Sequence, residues 1–261
     1  MKVVLFCGGL GTRLREYSDT IPKPMVTIGY RPIIWHVMKY YAQYGVKDFV
    51  LCLGYRGDLI KEYFLKYDEC LSNDFTLSKG GKDLTLHGSD IQDWNITFVE
   101  TGARSNIGDR LMAAKKYVEN DDVFLANYAD GLTDAPLDQM LAYFHKHNKI
   151  GSMLLVQPSQ SFHVVEMADD VFVKDMHHIS QSGLWINGGY FILRKEIFDY
   201  MKPGEDLVSE PLGRLIEKRQ LVGYCHKGFW ACMDTFKDKQ MFDDLYSRGE
   251  TPWARLNNKS K

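Results

Sequence analysis

The chain has 261 residues, of which 45% are hydrophobic and 25% are charged, and its formal net charge is -2. This near-neutral balance gives no support for binding to nucleic acid or to a membrane surface, so an anionic substrate must be held by local cations. No apolar run reaches the roughly 18 residues that a membrane-spanning helix needs.

The five cysteines are scattered along the chain and form no Cys-x-x-Cys pair, which argues against a zinc site. Free thiols of this kind are typical of a reducing compartment, and a cytoplasmic location is the simplest interpretation. They are Cys7, Cys52, Cys70, Cys225 and Cys232.

The first predicted element is a buried strand over residues 2–7, which runs into the glycine-rich turn Gly8-Gly9-Leu10-Gly11-Thr12-Arg13-Leu14. A parallel strand that ends in such a turn presents backbone N–H groups at its carboxyl end, where α/β sheets bind ligands. Glycine lets the main chain approach a phosphate closely, and Arg13 adds a fork of donors that suits phosphate. Two prolines then hold the segment Ile21-Pro22-Lys23-Pro24-Met25 extended and aim Lys23 in one direction. The pattern predicts a triphosphate site with two cations.

Two common phosphate-binding motifs do not fit this turn. The dinucleotide fingerprint needs a third glycine where Leu14 stands, and the Walker loop needs Gly-Lys-Ser/Thr, which is absent. A tight turn without a ligand is the remaining alternative, and the nearby Arg13 and Lys23 make it the less favoured one.

Strands and helices then alternate along the first half of the chain, which predicts a doubly wound, mostly parallel α/β sheet with helices on both faces. The predicted strands are 2–7, 48–53, 95–100, 123–128 and 152–156, and the predicted helices are 32–44, 58–67, 107–118 and 137–147.

Two regions depart from this alternation. Residues 75–78 and 83–86 predict a small β-hairpin inserted into the core sheet. Beyond residue 156, short antiparallel strands are expected at 162–166 and 171–173. A strand at 190–193, a helix from Ser209 onward, a strand at 221–225 and a final helix at 236–247 follow.

Polar residues follow two of these elements at positions that suit a ligand. Asp130-Gly131 comes directly after the strand 123–128, where a carboxylate is well placed for Mg²⁺, although a simple turn is the alternative. Asp234, in Met233-Asp234-Thr235, is a second candidate ligand. Asn187 precedes two glycines and offers donors and an acceptor for a sugar hydroxyl, or else it is a turn asparagine.

These motifs together resemble the signature of the sugar-phosphate nucleotidyltransferases, with the middle and C-terminal matches closest to the cytidylyltransferases among them. The matching segments, besides the glycine turn and Pro22-Lys23-Pro24-Met25, are Pro32–His36, Leu53–Tyr55, Thr101-Gly102, Gly108 with Arg110-Leu111, Asp130-Gly131, Trp185–Gly189, Gly228–Trp230 and Met233–Thr235. They cover nearly the whole chain.

The resemblance implies a Rossmann-like core in a single domain, 1–261, with a nucleotide-binding half at 1–150 and an acceptor-binding half with the C-terminal helix at 151–261. It implies transfer of CMP from CTP to a sugar 1-phosphate, with release of pyrophosphate. Among the sugar 1-phosphates, glucose 1-phosphate is the expected acceptor. The residues implied are Arg13 and Lys23 for catalysis, Gly8, Gly9, Gly11, Thr12, Gly108 and Arg110 for the nucleotide, Asn187 and Gly188 for the acceptor, and Asp130 and Asp234 for Mg²⁺.

The resemblance also implies self-association, because such relatives use an excursion like the 75–86 hairpin in subunit contacts; a solvated flap is the alternative. Many relatives carry Glu-Lys-Pro where this chain has Asp175-Met176-His177-His178-Ile179, and Arg-Phe-Gly where it has Ser161-Phe162-His163. His177 and His178 supply partial charge near neutral pH or are two exposed loop residues. Transfer to another phosphorylated acceptor and a non-catalytic nucleotide-binding module therefore stay open as alternative functions.

Overall fold

The computed structural model describes residues 1–8, 21–158 and 162–254, and its centre is a seven-stranded sheet. We number the strands of this sheet in chain order: β1 Lys2–Phe6, β2 Asp48–Leu53, β3 Asn95–Glu100, β4 Val123–Tyr128, β5 Gly151–Val156, β6 Ile186–Arg194 and β7 Leu221–His226.

The strand order across the sheet is β7-β5-β6-β4-β1-β2-β3. β1 pairs in parallel with β2 and β4, β2 with β3, and β5 with β7, whereas β6 runs antiparallel to both of its neighbours. The predicted mostly parallel sheet is confirmed. Because β6 is reversed, its amino end lies at the same edge as the carboxyl ends of β1 and β4.

Six α-helices lie in the described part of the chain, and capping interactions fix the start of two of them. They are α1 Ile33–Gln43, α2 Gly57–Leu65, α3 Ile107–Val118, α4 Leu137–His147, α5 Pro211–Glu217 and α6 Phe236–Ser247. The Asn106 side chain accepts from the backbone N–H of Asp109 at the start of α3, and Thr235 forms a capping box with Asp238 at the start of α6.

The helices cover both faces of the sheet, as the alternating strand and helix pattern predicts. Val3 and Leu5 point into a core shared with α1, α4 and α6, and Val4 and Phe6 point into a second core shared with α3 and α5. Successive side chains of a strand face opposite sides, so one strand contributes to both layers.

Four two-stranded ribbons surround the sheet, and two of them are those expected from the sequence. The ribbons are Thr27–Ile28 with Arg31–Pro32, Phe75–Ser78 with Asp83–Leu86, Gly131–Thr133 with Trp230–Cys232, and His163–Ala168 with Phe172–His178. The Phe75–Leu86 hairpin has the predicted bounds and is exposed along both strands.

Two predicted starts differ from the structure by more than one residue. The strand expected at 190–193 begins at Ile186, because Ile186 and Asn187 already pair with β5. The helix expected from a Ser209 cap begins at Pro211, with Glu210 in the capping position and no side-chain cap. No helix among the described residues is long and apolar enough to cross a membrane.

Candidate active site

Lys23, Asp130 and Asp234 meet at the carboxyl edge of the sheet. The Lys23 Nζ lies 2.6 Å from Asp130 Oδ2 and also contacts Asp234 Oδ1. Their side chains are 16%, 27% and 35% exposed, so the cluster is partly withdrawn from water but open to a ligand. The structure therefore brings together three residues that are more than 100 positions apart in the sequence.

A short antiparallel ribbon explains why the two aspartates are neighbours. Gly131 lies opposite Cys232 in this ribbon, and the backbone N–H of Met233 donates to the Asp130 carbonyl at 2.8 Å. Asp130 precedes one strand and Asp234 follows the other, so the pairing sets them side by side. On the far side, the Asp234 N–H donates to Asp238 at the start of α6.

The charges of this cluster reinforce one another. Burial lowers the pKa of Lys23, but the carboxylates of Asp130 and Asp234 outweigh it and the pKa is raised overall. Lys23 is thus a permanent cation near neutral pH. Burial, with the charges of Asp234 and Asp130, raises the pKa of Cys232 to about 12, so this thiol is neutral and donates to Asp234 Oδ2 at 3.4 Å.

The donor set of the cluster fits Mg²⁺. Two carboxylates at a strand edge offer hard oxygen ligands, and Mg²⁺ takes one or two of these and completes its octahedron with water and phosphate oxygens. Asp130 and Asp234 are close enough to contact one ammonium group, so they are close enough to share one cation.

Gly8 connects the end of β1 to this cluster. Gly8, Lys23 and Asp130 line the same small cavity of about 70 Å³. The other turn residues predicted to bind the nucleotide or the departing phosphates, Gly9, Gly11, Thr12 and Arg13, lie outside the described residues.

Arg110 is buried directly behind Gly8, with 1% of its surface exposed. Its Nη1 donates to Thr101 Oγ1 at 2.6 Å and to the Leu53 carbonyl at 3.2 Å. A β-carbon on Gly54 would lie 2.8 Å from Nη1, so the guanidinium fills the space between the ends of β1 and β2. Burial lowers the pKa of Arg110, and the neighbouring Cys52 and Cys7 act in the opposite direction.

Gly108 has a packing role in the structure. A β-carbon there would lie 2.1 Å from the Glu205 carbonyl oxygen, so only glycine lets the start of α3 meet this segment. The contacts of Gly108 and Arg110 with a base remain predictions.

Asn187 and Gly188 lie at the same edge as Asp130. The register of β6 on β4 pairs Tyr190 with Asn127, which brings the amino end of β6 beside the segment that follows β4. The Asn187 Oδ1 accepts from the backbone N–H of Gly189 at 2.8 Å, and Gly189 has a φ of 77°. The carboxamide is thus fixed by its own turn.

Trp230 and Cys232 also contact this site, although neither of them is assigned a role there by the sequence analysis. The Trp230 Nε1 donates to the Gly188 carbonyl at 2.8 Å and so ties the turn at Asn187–Gly189 to the ribbon that precedes Asp234. The only sequence signal was the Gly228-Phe229-Trp230 match, because a three-residue strand has too little alternation to be recognised.

His177 and His178 lie on the hairpin formed by His163–Ala168 and Phe172–His178, called the second hairpin below. This hairpin leaves the sheet between β5 and β6. His178 Nδ1 accepts from the Ser180 N–H at 3.2 Å and caps a turn. His177 lies 3.4 Å from Asp175, and the ligand atoms of these two residues and of Glu166 lie within 4.8 Å of one another. Glu166 is paired with Lys174 at 3.3 Å, and both carboxylates are exposed.

Comparison with known proteins gives full-length relatives. The chain is 36% identical over 254 residues to the glucose-1-phosphate cytidylyltransferase of Salmonella typhimurium, which covers 97% of this chain and 98% of the relative. It is 37% identical over 255 residues to the probable glucose-1-phosphate cytidylyltransferase of Bacillus subtilis, with 97% and 99% covered.

Solved structures share the fold at lower identity. A putative glucose-1-phosphate thymidylyltransferase from Bacillus anthracis, in complex with sucrose, superposes with a TM-score of 0.67 at 16% identity and covers 100% of this chain and 98% of that one. A UDP-glucose pyrophosphorylase from Acinetobacter baumanii gives a TM-score of 0.69 at 17% identity, with 97% and 95% covered. The nucleotidyl transferase family model matches residues 2–238, and the chain therefore belongs to this family.

Proposed function

We propose that this chain transfers CMP from CTP to a sugar 1-phosphate and releases pyrophosphate, and that glucose 1-phosphate is the preferred acceptor. The observation that carries the proposal is the convergence of Lys23, Asp130 and Asp234 beside Gly8 at the carboxyl edge of the sheet. The choice of cytosine and glucose rests on the names of the two full-length relatives.

The reaction is a substitution at the α-phosphorus of CTP. A phosphate oxygen of the sugar 1-phosphate attacks in line, the bond from the α-phosphorus to the bridging oxygen breaks, and pyrophosphate leaves with that electron pair. A phosphate monoester is largely dianionic at neutral pH, since its second pKa is about 6. No general base is required, and catalysis consists of positioning and neutralisation of charge.

The residues of the chain divide this work. The backbone at Gly8, Gly9 and Gly11 holds the nucleotide, Arg13 holds the departing β- and γ-phosphates, and Lys23 steadies the charge around the α-phosphate. Asn187, beside the turn of Gly188, orients the acceptor. These roles follow from the resemblance and from the position of the described residues at one edge of the sheet.

Magnesium dependence is part of the proposal. Asp130 and Asp234 would hold the ion, which would supply positive charge to neutralise the phosphates. Chelation by EDTA is expected to abolish turnover, and added Mg²⁺ is expected to restore it.

One observation favours a second acceptor class. Residues 175–179 of this chain contain no lysine where relatives have Glu-Lys-Pro, and this segment ends the second hairpin at the site edge. A different phosphorylated small molecule would then replace glucose 1-phosphate, while the nucleotide half of the reaction would stay the same.

The test is pyrophosphate release from CTP, UTP, ATP and GTP, each with glucose 1-phosphate, mannose 1-phosphate and a non-sugar phosphate. We expect the fastest release from CTP with glucose 1-phosphate. Fast release with another acceptor would support the second candidate. Tight nucleotide binding without release in any combination would identify a non-catalytic module.

A further inference from the structure

Lys23 occupies the position between the two carboxylates that the proposed function assigns to a metal. Its Nζ is 2.6 Å from Asp130 and in contact with Asp234, so two of its three N–H donors serve these side chains. In this arrangement an ammonium group neutralises the acidic pair that a divalent cation would otherwise neutralise.

The ammonium group and a metal compete for the same oxygens, Asp130 Oδ2 and Asp234 Oδ1. A cation shared by Asp130 and Asp234 needs the space that Nζ fills. The third N–H donor of Lys23 is the one left for a phosphate while the other two serve the carboxylates. Occupation of both carboxylates by one metal therefore requires Lys23 to exchange its partners.

We propose that Lys23 acts as a placeholder for the metal in the nucleotide-free protein, so that the divalent cation enters as its complex with the nucleotide and not alone. This inference rests on the proposed function and deepens it. The substrate recognised at this edge is then a metal–triphosphate complex, whose phosphates draw Lys23 away while its metal takes the two carboxylates.

The difference between free and complexed metal lies in what Lys23 gains. A free cation would displace an ammonium group that is only 16% exposed and would bring no anion to replace the two carboxylates. A metal–triphosphate brings phosphate oxygens as the new partner. Pro22 and Pro24 restrict the backbone on both sides of Lys23, and the Met233 N–H holds the Asp130 carbonyl, so the exchange of partners is assigned to the Lys23 side chain and not to the backbone.

The test measures binding of Mn²⁺, an octahedral substitute for Mg²⁺, to the nucleotide-free protein by the electron paramagnetic resonance signal of the free ion. The wild type is expected to bind on the order of millimolar or more weakly. Lys23→Met, which keeps the length of the side chain but removes the charge, is expected to bind roughly tenfold tighter or more. Lys47→Met removes an ion pair with Asp93 at the opposite edge of the sheet and should behave as the wild type.

Two further variants keep the test decisive. The double variant Lys23→Met with Asp234→Asn should lose the gain in affinity, and Lys23→Gln should repeat the gain if Lys23→Met folds poorly. Equal Mn²⁺ affinity in the wild type and both single variants at position 23, or submillimolar binding by the nucleotide-free wild type, would overturn the inference. Pyrophosphate release by the wild type is measured separately. Equal Mn²⁺ affinities in the wild type and the position-23 variants, together with normal release, would refute only the placeholder role of Lys23. Tighter Mn²⁺ binding by Lys23→Met, without pyrophosphate release by the wild type, would refute only the proposed transfer reaction.

Discussion

Gly8 lies directly against the guanidinium of Arg110, so that a β-carbon at Gly8 would be 2.1 Å from Nη1 and 2.2 Å from Cζ. The guanidinium has little room to move, because Thr101 and the Leu53 carbonyl hold Nη1 and Gly54 closes the other side. Packing against a buried cation is thus enough to require glycine at position 8, whether or not a ligand binds there.

Gly8→Ala is therefore expected to destabilise the protein by about 1–3 kcal/mol, the usual cost of inserting a methyl group into a packed interior. Urea unfolding measures the change. Gly213→Ala is the matched control, because a β-carbon there meets no described atom within 4 Å and the residue lies in α5. The control should be neutral or stabilising by up to about 1 kcal/mol. Equal destabilisation by both variants would contradict the packing argument.

Arg110→Met tests whether this cation reads the base. If Arg110 lies beside cytosine, as the resemblance implies, the ratio of kcat/KM for CTP to that for UTP should fall roughly tenfold or more. If Arg110 only joins the strand ends, both values should fall together. Thr101→Val is the companion variant, since it removes the hydroxyl that accepts from Nη1 and leaves the guanidinium in place.

Lys23→Ala is expected to lower turnover by roughly 10²–10³-fold, because it removes a positioned charge that stabilises the transition state. Steady-state pyrophosphate release measures the loss, and circular dichroism should show an unchanged fold. Lys47→Ala should retain full turnover. Unchanged turnover in Lys23→Ala would remove this residue from the mechanism.

The edge of the sheet that carries the site follows from the sequence, whereas the contacts within the site do not. The buried run at 123–128 places Asp130 at a strand end, and the strand formed has the predicted bounds. The position of Asp234 beside it depends on two three-residue strands, which are too short to show a period. Only the resemblance joined these two aspartates.

The surroundings of Arg110 show a second limit of sequence reasoning. Helical spacing places Arg110 in the first turn of α3, where a solvated charge and a base contact are both reasonable. Its burial depends on Gly8 and Gly54, which lack side chains and follow the ends of β1 and β2, about 50 to 100 residues away in the sequence. Contacts of this kind are set by the sheet order, which a local pattern does not contain.

His36 makes the stability of the fold depend on pH. Burial, with the nearby charge of Arg31, lowers the pKa of His36 from 6.5 to about 4, although hydrogen bonds with the backbone of Ile28 and Arg31 act in the opposite direction. Trp253 Nε1 donates to Nδ1 at 3.3 Å, so Nε2 carries the proton and donates to the Ile28 carbonyl at 3.1 Å. Both nitrogens are satisfied in the neutral ring, and a second proton would face the Trp253 N–H.

The free energy of unfolding is therefore expected to decrease as the pH is lowered from 6.5 to 4. Between pH 6.5 and 4, His36 binds a proton in the unfolded state but stays neutral in the folded state. The contribution of neutral His36 to the free energy of unfolding is therefore fully present above pH 6.5 and is lost as the pH falls toward 4. The loss is about 3 kcal/mol in the limit. Urea unfolding across this range measures it, and His36→Gln should give a shallower pH dependence. Identical slopes for the two proteins would contradict this assignment.

The hairpin of Phe75–Ser78 and Asp83–Leu86 leads to a prediction about self-association. Leu77 pairs with Leu84 and Phe75 with Leu86 on one face of the hairpin, and these four side chains are 58%, 50%, 43% and 37% exposed. An apolar face of this kind on a polar flap is typical of a contact surface.

We expect the protein to form a homo-oligomer, and Leu77→Asp to shift it to smaller species in light scattering coupled to gel filtration. Thr85→Asp places the same charge on the opposite face and should leave the oligomer intact. A monomeric wild type, or equal dissociation by both variants, would show that this hairpin is a solvated flap.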